Sequence, residues 1–388
     1  MKKPWLLILA AIILITLIGL WLYLFFGGDE AKEDLYNTFG LVGDELQFDL
    51  GDVFDDQATS TSPYLRQLSL RQTIGYVALD ASSSTPRTVR FVEAGTGHVY
   101  SVNVEDGTEE RLSNITVPSA ETAVLSRDGA YAAISVGSEL VTVITLPSGS
   151  TTLSSRVLNI NPISTSFTSD DTLLYAVKEG RSVRGYSYNL KTTDTTNIFI
   201  VPFREAVVLW GDTVAGTHYT YPKTAADLEG YLYEIKSDTL ARLPVSGFGL
   251  SAIANDTSII YSITENGVYK SYTYNKASSE TAPVNFLFIP EKCLVVDSGI
   301  SCATDVASIY SGSVESWYRG ETIFSDALWY TKPDTKFTTQ IEPLSETAGR
   351  SLDATLLTTK SQVLYFVNHN DSSLWVYDRD FTVALPDN

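Results

Sequence analysis

Histidine, cysteine and the serine–glycine phrases are where chemistry would first be sought in this chain. Its three histidines, His98, His218 and His369, stand far apart, with none of the paired spacings that bring two imidazoles onto one zinc ion. Each is expected to face solvent or to hydrogen-bond locally. The nearest approach to a nucleophile elbow is Gly249-Leu250-Ser251-Ala252-Ile253, which lacks the second glycine that permits a tight strand-to-helix turn. Gly95-Thr96-Gly97 precedes no helical pattern and so is not read as a phosphate loop. No catalytic, cofactor-binding or metal-ligating residue is assigned, and no cofactor is expected.

Cys293 and Cys302 are the only cysteines, in the phrase Lys292-Cys-Leu-Val-Val-Asp-Ser-Gly-Ile-Ser-Cys302. A two-residue Asp297-Ser298 turn would pair Val296 with Gly299 and, counting outward, Cys293 with Cys302. The last would be a non-hydrogen-bonded pair, whose Cα separation of about 4.5 Å suits a disulfide. Two buried thiols in a shifted register remain the alternative.

Charge narrows the partners. There are 27 Lys and Arg against 46 Asp and Glu, for a net charge of −19. No run of Lys or Arg exceeds two, so nucleic acid is not an expected partner. The acidity reads as solubility and repulsion from anionic surfaces, with cation binding the lesser alternative.

An uncharged run from Trp5 to Phe26 would extend roughly 33 Å as a helix, enough to cross a bilayer. Lys2 and Lys3 precede it and Asp29, Glu30, Glu33 and Asp34 follow, so the positive-inside bias puts the N-terminus in the cytoplasm. A cleaved signal peptide is the competing reading, but the run is long and lacks a small-x-small cleavage site. The expected organisation is a cytoplasmic N-terminus at 1–4, a signal anchor in the cytoplasmic membrane at 5–26, an acidic stalk at 27–63 and an extracytoplasmic domain at 64–388. The stalk carries ten acidic residues between Asp29 and Asp56 against Lys32 alone. Its phrase Leu46 to Asp56 alternates apolar and acidic positions but lacks EF-hand spacing.

Beyond residue 63, alternating apolar and polar strands separated by turn residues recur every ~40 to 50 residues, with no sustained helical period. The units span Val89 to Ser113, Ala123 to Leu153, Ser166 to Phe199, Val207 to Pro244, Ala252 to Val284, Phe288 to Pro343 and Ala354 to Phe381. This predicts an all-β propeller of seven blades, with six or eight as alternatives, because one blade cannot bury both its faces unless neighbours stack around an axis. Within it, Thr73 to Leu79 reads as the inner strand of the first blade. Tyr64 to Leu70 is expected as the outer strand beside Leu374 to Asp378, with Phe381 to Pro386 as the competing occupant. Pairing the two ends of the domain would remove a free sheet edge.

The phrase Leu125-Ser-Arg-Asp-Gly-Ala-Tyr-Ala-Ala-Ile-Ser135 resembles the turn of TolB-type (PD40, WD40-like) propeller repeats, with Ser126, Asp128 and Gly129 in matching places and Arg127 where proline is usual. Thr168 to Asp171 and Ala254 to Asp256 are more degenerate copies. Phrases such as Leu65 to Leu79, Tyr221 to Tyr233 and Glu291 to Ala303 also resemble singly anchored membrane propellers of small-genome bacteria across nearly the whole exterior domain. That resemblance implies fold and location but no mechanism.

The aromatic phrases Ser316 to Tyr330 and Ser372 to Asp378 could make a carbohydrate or protein surface but read better as packing between blades, alternating Trp and Tyr in strands filling the space. The insertion His218 to Tyr233 is the better candidate for recognition, since a loop on a rigid scaffold can vary freely. Together these features favour a non-enzymatic scaffold that binds a protein or envelope component. The alternatives are a lyase or glycan hydrolase with a dispersed site at the propeller channel, and a purely structural envelope protein.

Overall fold

A computed structural model describes residues 62–379, apart from 82–84, 138–139, 148–151, 169–171, 238, 256, 297–298 and 333–336. The anchor expected at 5–26 and the competing strand Phe381 to Pro386 lie outside the described residues. Among those described, no helix is long and apolar enough to cross a membrane.

Antiparallel sheets make up almost all of the regular structure among the described residues, mostly from consecutive strands. After β1 (Leu65–Ser69), the first sheet holds β2 to β5 (Thr73–Leu79, Thr88–Glu93, Val99–Asn103 and Glu109–Arg111). The second holds β6 to β9 (Thr122–Leu125, Tyr131–Val136, Leu140–Thr145 and Ser154–Leu158), and the third β10 to β13 (Pro162–Phe167, Thr172–Glu179, Ser182–Asn189 and Thr195–Val201). A seven-stranded sheet follows, β14 to β20 (Ala206–Leu209, His218–Pro222, Glu229–Lys236, Thr239–Ala254, Ser258–Glu265, Val268–Asn275 and Glu280–Pro283). In it the 16-residue β17 pairs with β16 through its first half and with β18 through its second. Gly249, at φ 63°, lies where the β17–β18 register breaks, in a left-handed conformation that suits glycine. Next come β21 to β24 (Cys293–Val296, Gly299–Thr304, Ala327–Lys332 and Phe337–Glu342), with helix α1 (Ser311–Tyr318) between β22 and β23. Helix α2 (Leu344–Ala348) leads to β25 to β27 (Ala354–Lys360, Val363–Asn368 and Leu374–Tyr377).

The turn chemistry is visible in the sequence. Ser126, which is buried, hydrogen-bonds Asp128 at 2.7 Å and accepts from the Tyr131 amide at 2.9 Å, while Asp128 accepts from the Ala130 amide and Gly129 takes φ 70°. Each residue of the Ser-x-Asp-Gly phrase therefore closes part of the β6–β7 hairpin.

The expected closure is observed. β1 pairs antiparallel with β27, Leu65 opposite Tyr377 and Gln67 opposite Trp375, giving the order β1-β27-β26-β25. Arg87 of the first sheet reaches Asp378 at 2.7 Å, and the Thr73 amide donates to the Ser372 carbonyl at 2.7 Å. The apolar cores join neighbours rather than filling single sheets. Leu68, Tyr365 and Val376 pack with Val89 and Phe91; Val99 packs with Ile134; Val143 with Tyr175; and Phe199 with Ile235. Each such buried side chain contributes roughly 1.5–3 kcal/mol, which a lone sheet could not gain on both faces. At the inner edge, a Cβ on Gly75 of β2 would come within 2.0 Å of the Ala123 carbonyl oxygen of β6, so only glycine permits that approach.

Two sequence readings are corrected. The stretch containing Ser316 to Tyr318 is not strand: α1 was too short, at eight residues, to show a helical period. The insertion His218 to Tyr233 is mostly β15 and β16, and only 223–228 is loop.

Candidate binding site

Two cavities merit comparison. The larger, about 640 Å³, is axial and is lined by the first strands β2, β6, β10 and β25, including Gly75, Tyr76, Arg127, Phe167, Leu356 and Lys360. Neither a carboxylate nor a histidine is among its lining residues.

The second, about 380 Å³, lies where the 223–228 loop, β14, β17, the 3-10 turn Pro290–Lys292 and α1 meet. Its polar floor is Glu291. The Ser251 hydroxyl lies 2.8 and 2.9 Å from the two carboxylate oxygens, and Tyr318 Oη lies 2.7 Å from Oε2 and 2.9 Å from Ser251 Oγ. Glu291 is exposed and Tyr318 is 50% exposed, although protein surrounds both, because their polar ends border the cavity. Burial pushes the Glu291 carboxyl above the usual carboxylate range, and the hydroxyls of Tyr318 and Ser251 oppose that shift without cancelling it. Burial, followed by the negative charge of Glu291, pushes the phenols of Tyr318 and Tyr221 upward, so both remain protonated. Tyr269 is raised by burial and donates to the Phe288 carbonyl at 3.1 Å.

The walls are mainly apolar: Val207, Leu250, Val314, Ala225 and Ala226. Thr224 fixes the loop by donating to the Leu250 carbonyl at 2.6 Å. Lys223, Glu315 and Arg319 stand at the cavity, Arg319 being held by Glu315 at 3.2 Å and by Glu321 at 3.0 Å.

Adjacent residues set this floor. Lys292, next to Glu291, is fully buried between Asp326 at 2.7 Å and Asp353. Trp317, next to Tyr318, donates its indole N–H to Asp353 at 2.9 Å. One residue of each pair enters the buried network while its neighbour faces the cavity. The network orients both groups, since a buried charge must keep its partners. Burial, first, and the neighbouring Asp353 charge raise the Asp326 carboxyl to about 6 despite Lys292.

Cys293 follows directly. It pairs with Cys302 in the expected register and is bonded to it, with a Cα separation of 4.0 Å, so the start of β21 is clamped beside the floor. The expected turn residues 297–298 are outside the described set. The histidines are not brought together. His98 meets Thr116 at 3.0 Å; His218 is buried, accepts from the Gly211 amide at 3.0 Å and has a lowered pKa through burial; and His369 packs on Trp317. No group of three metal-ligating side chains occurs among the described residues.

Comparison with solved structures places the fold. YCF48 bound to D1 peptide aligns with a TM-score of 0.54 at 9% identity, over 81% of this chain and 96% of that one. The β-propeller domain of the Trilobed protease from Pyrococcus furiosus aligns at 0.51 and 11% identity, over 78% and 95%. A chain of the mitotic checkpoint complex aligns at 0.51 and 10% identity, over 82% and 95%. The fold is a β-propeller. No family model and no curated protein sequence matches the chain. At these identities the likeness carries fold alone, and propellers include parts of enzymes as well as binding proteins.

Sequence reasoning missed Glu291 as a site residue and read the phrase around Tyr318 as packing. Ser251 was considered only as a nucleophile. The usable signals were the insertion His218 to Tyr233, whose residues 223–226 line the cavity, and Pro290, which ends an apolar run and forces a turn that can present two successive side chains in opposite directions.

Proposed function

We propose that this chain is a membrane-anchored, extracytoplasmic propeller of seven blades that binds a protein or cell-envelope component without chemical turnover. In this reading residues 5–26 anchor it in the cytoplasmic membrane with 1–4 inside, 27–63 form the stalk and 64–388 the propeller. The seven-stranded sheet counts as two blades sharing β17. The PD40-like turn at Ser126 and the resemblance to singly anchored bacterial propellers support this organisation, and the disulfide accords with an oxidising exterior.

The observation that carries the binding role is the cavity floored by Glu291: a rigidly held polar floor, apolar walls and a mouth formed by the loop at 223–228. Its Ser251 has no histidine beside it, and its hydroxyl is engaged by a carboxylate that already holds a second hydroxyl. An enzymatic reading draws on Glu315, a second carboxylate at the same cavity, since paired carboxylates serve glycoside cleavage. Glu315 is, however, paired with Arg319.

The test places a photo-crosslinking residue at Ala225 in intact cells, with Glu110 on a distant sheet edge as control. The expected result is a discrete adduct from position 225, in the membrane fraction and sensitive to external protease. A soluble mature protein beginning near Gly27 or Glu30, adducts from position 110 alone, or cleavage of envelope glycans by the purified protein would overturn the reading.

A further inference from the structure

Resting on that reading of the Glu291 cavity as the binding site, we infer that it takes a protonated primary amine carried on a short apolar stem. Glu291 is the reason. Among the described residues, hydroxyl groups are its only side-chain partners and no cation neutralises it, although it forms the floor of a cavity. A carboxylate contacted only by hydroxyls and facing a cavity favours a ligand that brings positive charge and hydrogen-bond donors together.

The arrangement also discriminates between cations. Ser251 is set against both carboxylate oxygens, at 2.8 and 2.9 Å, and so occupies the edge onto which a planar guanidinium would fork. An ammonium is compact and needs only the remaining lone-pair positions. Tyr318 and Tyr221 stay protonated and polar next to it, while Val207, Leu250 and Val314 suit a stem of methylenes.

The other charged groups at the cavity set a limit. Arg319 is neutralised by Glu315 and Glu321, and Glu315 adds negative charge. Lys223 is exposed at the mouth and disfavours a second positive charge on the ligand. The site therefore takes one ammonium, as in a lysine side chain or a simple alkylamine, and not a polyamine.

The test titrates the full chain in detergent with n-butylammonium chloride, n-butanol and n-butylguanidinium, followed by saturation-transfer NMR. Butylammonium is expected to bind at least about tenfold more tightly than either control, and Glu291→Gln to lose about tenfold or more. Tyr318→Phe should weaken binding severalfold. Binding should also fall as pH drops through the range in which Glu291 takes up its proton, because an amine of pKa about 10.4 stays charged throughout. Equal binding of butanol and butylammonium, or full binding by a folded Glu291→Gln, would overturn the inference. If Glu291→Gln does not fold, Tyr318→Phe and the pH series decide: unchanged binding in both also overturns it.

Nα-acetyl-lysine N-methylamide separates the sources. Tighter binding than butylammonium supports a polypeptide lysine, and equal binding supports a small amine. Loss of butylammonium binding with the position-225 adduct intact sinks this inference alone. Binding without the adduct sinks only the proposed partner.

Discussion

The axial cavity and the Glu291 cavity differ in a way that volume alone would rank wrongly. The axial one is larger, about 640 against 380 Å³, yet its charged groups are already satisfied: Lys360 meets Asp80 at 3.2 Å and Arg127 meets Asp212 at 3.5 Å. Tyr76 spans the same space to donate to the Leu356 carbonyl at 2.5 Å. In the second cavity Glu291 keeps a charge that only hydroxyls contact, and the residues that follow it fix its place: Lys292 in a buried ion network, then Cys293 in a disulfide. First strands of neighbouring sheets meet around a propeller's axis by construction, so a cavity lined almost entirely by such strands follows from the fold. A cavity with an unneutralised carboxylate needs dedicated support, which is why it points to use.

The contrast breaks most severely at Lys292. Lys292→Ala leaves Asp326 and Asp353 facing each other in a fully buried setting, and is expected to cost about 3–5 kcal/mol in chemical denaturation, the range for an uncoupled buried charge. The variant should also lose butylammonium binding wherever it remains folded. A loss under about 1 kcal/mol would mean that the network does not fix the floor, and the distinction drawn here between the cavities would weaken.

Reduction comes next. The bond between Cys293 and Cys302 closes a short loop and should contribute roughly 2–3 kcal/mol, measured as the denaturant midpoint with and without reductant. Thiol labelling of the unreduced, denatured protein should mark neither cysteine. Two labelled thiols would remove the clamp from the account and leave Lys292 as the sole anchor of the turn.

The β repeats and the cysteine register were legible because each rests on local signals: period-two alternation, turn residues and counting outward from a hairpin. The closing pair β1–β27 joins distant segments and was legible because Tyr64 to Leu70 precedes the first blade's inner strand and pairing the two ends removes a free edge. The site was not legible, because it joins Ser251, Glu291 and Tyr318 from three segments whose meeting depends on tertiary packing. Its only local traces were the insertion, whose loop at 223–228 does border the cavity, and Pro290. Helix α1 escaped for a related reason. Its eight residues show no strong amphipathic stripe, and it is held instead by Trp317 on Asp353 and by the buried neighbours Ile289 and Phe324.

Acidity offers a finer comparison. Because the folded carboxyl of Glu291 is raised, the native state holds its proton through a range in which the unfolded chain, near pH 4.3 for glutamate, has released it. Fewer protons on the unfolded chain mean that this contribution to stability falls as pH rises through that range. Asp326, raised to about 6, acts with the same sign. Glu291→Gln should therefore flatten the decline of stability with pH while leaving the part below about pH 6 that belongs to Asp326. An unchanged slope would show that Glu291 is solvated as an ordinary surface acid.

The smallest effect is expected in the axial cavity, and its smallness is informative. Lys360 and Asp80 are 36% and 47% exposed, so solvent screens their 3.2 Å pair and Lys360→Ala should cost no more than about 1 kcal/mol. Removing that cation enlarges the axial cavity and alters its charge but touches nothing near Glu291. Butylammonium affinity and the adduct at position 225 should both match the unaltered chain. If Lys360→Ala instead abolished the adduct while melting normally, the axis would be the working surface, and the paired charges there would be binding groups rather than a satisfied consequence of how the sheets meet.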